Sequence, residues 1–300
     1  MTEFIDTEAV VEEPAAETFG SARQMITVFR RDRMATIGLV IVLLFFLMAL
    51  FAPMLAPYPE EGAGKPNAQA LTQAPSSEHI MGTDQLGRDV LSRIIMGARP
   101  TLLVPFIVVA LAILVGAPLG AIAGFRGGWI DTVIMRITDL FLSFPSLLLA
   151  IAITAALGRG LTNAALALVI SWWPWYTRLV RGIAVSIRQS DFIEAAYAVG
   201  LTRMQIIRKH ILPNSITPIV VQATIDLGIV IIAMGGLAFL GLGTQPPKPD
   251  WGLMIAEGRS VLLSAWWVAT FPGLAIFIVV FSFNLIGDGL RDVFDPRTRR

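Results

Sequence analysis

The 300-residue chain has no cysteine, two histidines and only 15% charged residues. Without cysteine there is no disulfide, no thiolate nucleophile and no sulfur-ligated metal. His79 and His210 alone cannot build a histidine-rich metal centre. A net charge of +1 leaves no basic footprint for nucleic acid. A phosphate-binding loop is missing too. Gly64-Lys65 comes nearest, but Pro59 and Pro66 stand where that pattern needs Gly and then Ser or Thr. What the chain has in excess is apolar surface: 55% hydrophobic residues and a mean hydropathy of +0.70, too apolar for a soluble protein of this length.

Six apolar runs are long enough to cross a hydrocarbon core of roughly 30 Å as helices. They lie at about 35–56, 101–124, 134–157, 161–183, 217–242 and 264–287, and the expected fold is an all-α polytopic membrane protein. Before them, residues 1–34 form an acidic tail, read as disordered, that ends in a basic juxtamembrane segment. Residues 57–100 form a long loop, 101–290 the core, and 291–300 a short tail. With the N-terminus inside, 16 of the 23 Lys and Arg residues fall on the inner side, so both termini are expected in the cytoplasm.

One polar stretch interrupts the apolar pattern between the fourth and fifth runs: Glu194 to Pro213, EAAYAVGLTRMQIIRKHILP, within a loop spanning 190–214. Its composition predicts two short helices, with Gly200 ending the first, Thr202 capping the second and Pro213 closing it. Ala195, Ala196, Val199, Leu201, Ile206 and Ile207 are expected to press against another protein. Glu194-Ala195-Ala196, Gly200 and Leu212-Pro213 match the spacing of the EAA loop of ABC-importer permeases. His210 replaces the usual isoleucine, and His210-Ile211-Leu212-Pro213-Asn214 resembles the version in the peptide/nickel branch. Two further stretches resemble its C-type permeases: His79 to Arg93, and Pro246 to Asp292 with its Pro-Pro-x-Pro-x-Trp-Gly succession.

The resemblance covers about residues 25–298. It implies a type I ABC-importer permease fold in a bacterial inner membrane, and the membrane subunit of a binding-protein-dependent importer. The implied partners are a homologous second permease, two ATPase subunits that bind ATP and Mg, and an extracytoplasmic binding protein. The chain itself would hold no cofactor and be no enzyme. Glu194, Ala195, Ala196, Gly200, Leu201, His210, Leu212 and Pro213 would dock the ATPase. Di- or oligopeptides are the default cargo, with nickel complexes, glutathione and glycosides as alternatives.

Other residues stay open to two readings. Gly82, Thr83, Asp84, Arg88, Pro247 and Trp251 either contact the binding protein or form a structural collar. Leu86, Val90, Leu91, Ile94 and Ile95 predict an amphipathic surface helix, capped by Thr83 or Asp84 and carrying an Asp89–Arg93 ion pair. The tryptophans Trp172, Trp173 and Trp175, with Tyr176, read as interface anchors. Asp226, with Gly235 and Gly236 after it, suits a translocation path or a carboxylate held by a buried partner such as Arg136 or Asn284. An intramembrane serine protease would need a histidine near its nucleophile, but His79 and His210 fall on opposite faces. A di-aspartyl enzyme would need a second deep carboxylate beside Asp226, and Asp139 and Asp288 lie near the inner ends. A passive channel or scaffold has no use for the Glu194 loop.

Overall fold

The computed structural model describes residues 32–294, so the acidic tail and the last basic residues expected at each terminus lie outside the described part. Among the described residues the fold is carried by nine helices besides two single turns at Ala52–Leu55 and Pro59–Gly62: α1 (Arg33–Leu50), α2 (Val90–Arg126), α3 (Gly128–Leu142), α4 (Ser146–Leu157), α5 (Leu161–Arg188), α6 (Asp191–Ala198), α7 (Arg203–Phe239), α8 (Trp251–Gly258) and α9 (Trp267–Phe294). No strand occurs among the described residues beyond one isolated bridge between Thr83 and Asp89.

Among the described residues four helices, α1, α2, α7 and α9, are long and apolar enough to cross a membrane, and α3 with α4 makes a fifth if that bent pair is one span. The expected third run is thus broken by 85°, at Ser143 to Pro145. Pro145 cannot donate to the helix ladder, which is why α4 restarts immediately after it. The expected fourth run is present as α5, 28 residues and so about 42 Å long. Its Trp172 to Arg181 segment makes it less apolar than the other four.

The loop expected at 57–100 ends early, because helix starts at Val90 and continues unbroken for 37 residues. The amphipathic stretch is therefore the first turns of α2, not a separate helix on the membrane surface. Its cap is Asp89, which accepts from Ser92 N, and not Thr83 or Asp84. Val90, Ser92, Arg93, Ile94 and Ile95 are buried among neighbouring elements. The expected Asp89–Arg93 ion pair does not form. Asp89 is engaged at the cap and by His79, and Arg93 turns to Asp84 and Glu257.

The core is centred on α2 packed along α5. Gly116, Gly120 and Gly124 fall one turn apart on α2 and meet α5 backbone: a Cβ on each would lie 2.4, 2.4 and 2.5 Å from Trp173 O, Thr177 O and Arg181 O. Small residues permit such an approach, which then gains dispersion contacts along the whole seam. Thr177 Oγ1 adds a hydrogen bond to Gly116 O at 3.2 Å. The tightness of this seam pulls Trp172 and Tyr176 into the interior, whereas Trp175 stays exposed, so only part of that aromatic group could anchor an interface. Outside the seam, α9 packs on α1 and α7, with Gly38 of α1 against Ser282 O.

Candidate functional site

The bundle has two distinct ends. At one, α5 turns into α6 and then α7, an elbow built from the Glu194 stretch. The first helix stops at Gly200, whose φ of +86° places it in the left-handed region. There Gly200 N donates to Tyr197 O and Leu201 N to Ala196 O, so the last carbonyls of α6 are satisfied. Thr202 then opens α7 with a reciprocal box, accepting from Gln205 N while Gln205 Oε1 accepts from Thr202 N.

Pro213 does not close the second helix. A π turn at Ile207–Ile211 carries Leu212 N to Ile207 O, five residues back, and the chain passes Pro213 without a stop. From Arg203 to Phe239 the backbone is one continuous helical run of 37 residues.

The elbow divides its apolar residues. Ile193, Ala196, Ile206, Ile207 and Ile211 turn inward into the core of this chain, and Leu201 packs at its edge. Ala196, Ile206 and Ile207 therefore serve their own fold, contrary to the expectation that they face another protein. Ala195, Val199 and Met204 face outward with Glu194 and Gly200, and Val199 is 75% exposed. Tyr197 stacks on Phe125 at the end of α2, and Phe192 leans on the His210 ring. Two ion pairs brace α5 beside the elbow: Arg181 grips both oxygens of Asp131, and Arg178 Nη2 donates to Asp139 Oδ1 at 2.6 Å.

Asp226 lies midway along α7 and is 4% exposed. Its Oδ1 accepts from Gln222 Nε2 at 3.1 Å, one turn back. The Tyr176 hydroxyl and the Trp172 indole of α5 neighbour the same carboxyl, but Oδ2 and Tyr176 Oη close no hydrogen bond. Neither expected partner reaches it. Arg136 is exposed, and Asn284 is exposed and donates to Val280 O. Further along, Gly235 touches Gly252 of α8 backbone to backbone, and Gly236 has open space beside it.

At the opposite end, residues 58–89 fold down as a cap over α8 and the start of α9. Asp84 Oδ2 accepts from Arg88 Nε at 2.7 Å and from Arg93 Nη1 at 2.6 Å. Glu257 Oε2 accepts from Arg88 Nη2 at 3.0 Å and from Arg93 Nη1 at 2.8 Å. Asp84, Arg88 and Arg93 are each 1% exposed. Beside them, His79 Nδ1 meets Asp89 Oδ1 at 3.0 Å, and Asp89 N donates to Glu61 Oε2. Trp251 Nε1 donates to Ile94 O, and Trp267 Nε1 to Thr83 O. Of the six residues that could contact a binding protein, only Pro247 is exposed; Gly82, Thr83, Asp84, Arg88 and Trp251 are buried. Arg93, Glu257 and Trp267 complete this cluster without having stood among the expected site residues. Arg93 pairs with a residue 164 positions away, and no local spacing reports that.

A polar elbow at one end, a long helix leading from it past a buried carboxylate, and a charge-braced cap at the other define a multi-pass membrane transport component. The chain belongs to the family described as the binding-protein-dependent transport system inner membrane component, which matches residues 116–300. Residues 21–75 match the N-terminal transmembrane domain of oligopeptide transport permease C. The chain is 46% identical to the dipeptide transport system permease protein of Alkalihalophilus pseudofirmus, over 92% of this chain and 90% of that one. It is 42% identical to the probable D,D-dipeptide transport system permease protein of Escherichia coli, over 95% and 94%. A glutathione transport system permease protein of Pectobacterium atrosepticum is 43% identical over 90% and 89%. Among solved structures, the inward-facing methionine ABC transporter aligns with a TM-score of 0.56 at 24% identity, over 69% of this chain and 97% of that one, a likeness of fold.

Proposed function

We propose that this chain is one membrane half of an ATP-driven importer for small peptides, and that it takes its energy from separate ATPase subunits through the elbow. The observation that carries this is the continuity of α7. A docking surface at the elbow joins, without a break, a 37-residue helix that passes Asp226 and ends against α8. A push on the elbow is then delivered as rigid-body motion to the far end of the molecule. Glu194, Ala195, Gly200, His210, Leu212 and Pro213 form or shape that surface, with Val199 and Met204 as its apolar tip. Ala196 and Leu201 hold it from behind.

In this reading the elbow and both termini are cytoplasmic and the cap faces outward. A homologous second permease completes the path, and Asp226 with Gly235 and Gly236 lies along it. A binding protein delivers cargo to the capped end, where Pro247 and its neighbours are accessible. Relatives named for dipeptides and for glutathione support a short peptide as cargo, because glutathione is itself a tripeptide. The test is uptake and ATP hydrolysis by the assembled complex in proteoliposomes carrying Glu194→Lys. Hydrolysis without uptake is the expected result. Undiminished uptake at normal assembly would remove the elbow from the mechanism.

A further inference from the structure

The stretches 79–93 and 245–267 take no part in coupling at the elbow, yet they converge at the capped end on one side chain, Glu257. We infer that Glu257 is a positioning residue for transport: with Asp84, Arg88 and Arg93 it locks the cap to α8, so that cap, α8 and the far end of α7 move as one body. This rests on the coupling reading above, since a driven α7 must have something fixed to its far end.

Three observations carry it. Two guanidinium groups and two carboxylates share four ion pairs in which only Glu257 keeps some access to water, at 20% exposure, and parting them would strand the buried arginine charges without a partner. The cap is also tied to its neighbours by uncharged contacts. Gln85 Nε2 donates to Glu257 O, Trp267 Nε1 donates to Thr83 O, and a Cβ on Gly82 would lie 2.6 Å from that indole nitrogen. Finally, α8 lies against α7 backbone to backbone with no side chain between them, since a Cβ on Gly252 would lie 2.5 Å from the Gly235 Cα. The chain of contact therefore runs from Asp84 through Glu257 and α8 to Gly235 without a soft joint. A gate that opened between cap and α8 would have to break all of it in every cycle.

The absence of cysteine makes a direct test available. Gln85 Nε2 lies 3.4 Å from Ser260 Oγ, in the turn Arg259–Val261 that directly continues α8, so Gln85→Cys with Ser260→Cys places two thiols across the boundary between the cap and the end of α8. The assembled complex, with its other subunits freed of cysteine, is joined at this pair by a short bis-thiosulfonate and assayed for ATP-driven uptake. Uptake within about twofold of the unlinked complex is expected for parts that move together. Arrest by the cross-link, reversed by reductant, would overturn the inference. In a second arm, Glu257→Ala is expected to lower uptake about tenfold or more in a complex that still assembles. The cross-link, applied after assembly, should then restore it. A general folding defect would not respond to a tether added so late. Failure of the tether to restore uptake, or normal uptake by Glu257→Ala, also overturns the inference. Where Glu257→Ala does not assemble, Glu257→Gln takes its place with the same outcomes. Lack of ATP-driven uptake by the unaltered complex would instead sink the coupling reading itself.

Discussion

The glycine seam between α2 and α5 allows one substitution to be compared with itself at two sites. Gly120 lies on α2 facing α5, where an added Cβ would sit 2.4 Å from Thr177 O and 2.9 Å from Arg181 N. Ordinary contact begins near 3.4 Å, so Gly120→Ala forces these two backbones apart by close to an ångström. Both atoms belong to helix backbone, with no flexible side chain to yield. Overpacking of this kind costs about 1–3 kcal/mol, and the better helix propensity of Ala recovers at most about 1 kcal/mol. Gly182, on the facing helix, has nothing within 4 Å of its Cβ position and no left-handed φ. There Gly182→Ala meets no obstacle and stabilises by about 0.5–1 kcal/mol. The assay is thermal unfolding of the purified complex, followed by loss of the monodisperse peak in size-exclusion chromatography. For a chain of this size each kcal/mol moves the midpoint by about 2–4 °C, so the two variants are expected to fall on opposite sides of the parent. Equal shifts, or a more stable Gly120→Ala, would refute the claim that backbone approach at this seam limits residue size.

Three further outcomes are expected. Gly200→Ala forces an L-residue into the left-handed region at the end of α6, costing about 1–2 kcal/mol locally. Amide exchange in the elbow should accelerate with little change at α9, and unchanged exchange would contradict the geometry. Asp226→Leu removes the acceptor of the half-buried Gln222 amide, so uptake in vesicles is expected to fall, and an unaffected rate would exclude any role for the carboxylate. At the capped end, burial pushes the Asp250 carboxyl above its ordinary value. A raised acid contributes stability below the ordinary aspartate range and loses it as pH rises through the raised value. Asp250→Asn keeps an acceptor for Leu253 N and carries no charge, so the thermal midpoint at neutral pH should hold or rise and that pH component should vanish. Asp250→Ala, losing the cap, should cost about 1 kcal/mol.

The parts of this molecule that were legible from sequence are those governed by local rules. Gly200 ends α6 and Thr202 opens α7, because a left-handed position and a capping hydroxyl depend on a few neighbouring residues. The apolar runs became helices for the same reason. Misreadings arose where distant contacts outweighed local pattern. Pro213 carries a helix-stop signal, but one π turn absorbs it. The 86–95 stretch has the periodicity of a surface helix, yet Asp84 and Glu257 draw its arginines inward. Gly116, Gly120 and Gly124 have a readable spacing, but nothing local to it names α5 as the helix they meet. Asp226 itself was recognised as exceptional, whereas its setting of Gln222, Trp172 and Tyr176 depends on how α5 folds against α7.

The elbow and the capped end are joined by the continuity of α7. A helix ended at Pro213 would have left the elbow hinged to the bundle, and a hinge absorbs a push. The π turn carries the helix up to that proline, whose missing N–H leaves out one ladder bond, and the inward side chains Ile206, Ile207 and Ile211 seat the turn in the core. At the other end, a side chain between Gly235 and Gly252 would have cushioned the same movement, but the two backbones meet directly. In the coupling proposed above, a push at the elbow needs such a strut. Pro213 and Pro218 near one end and the glycines near the other are where sequence rules suggest weakness, and the helix runs through all of them.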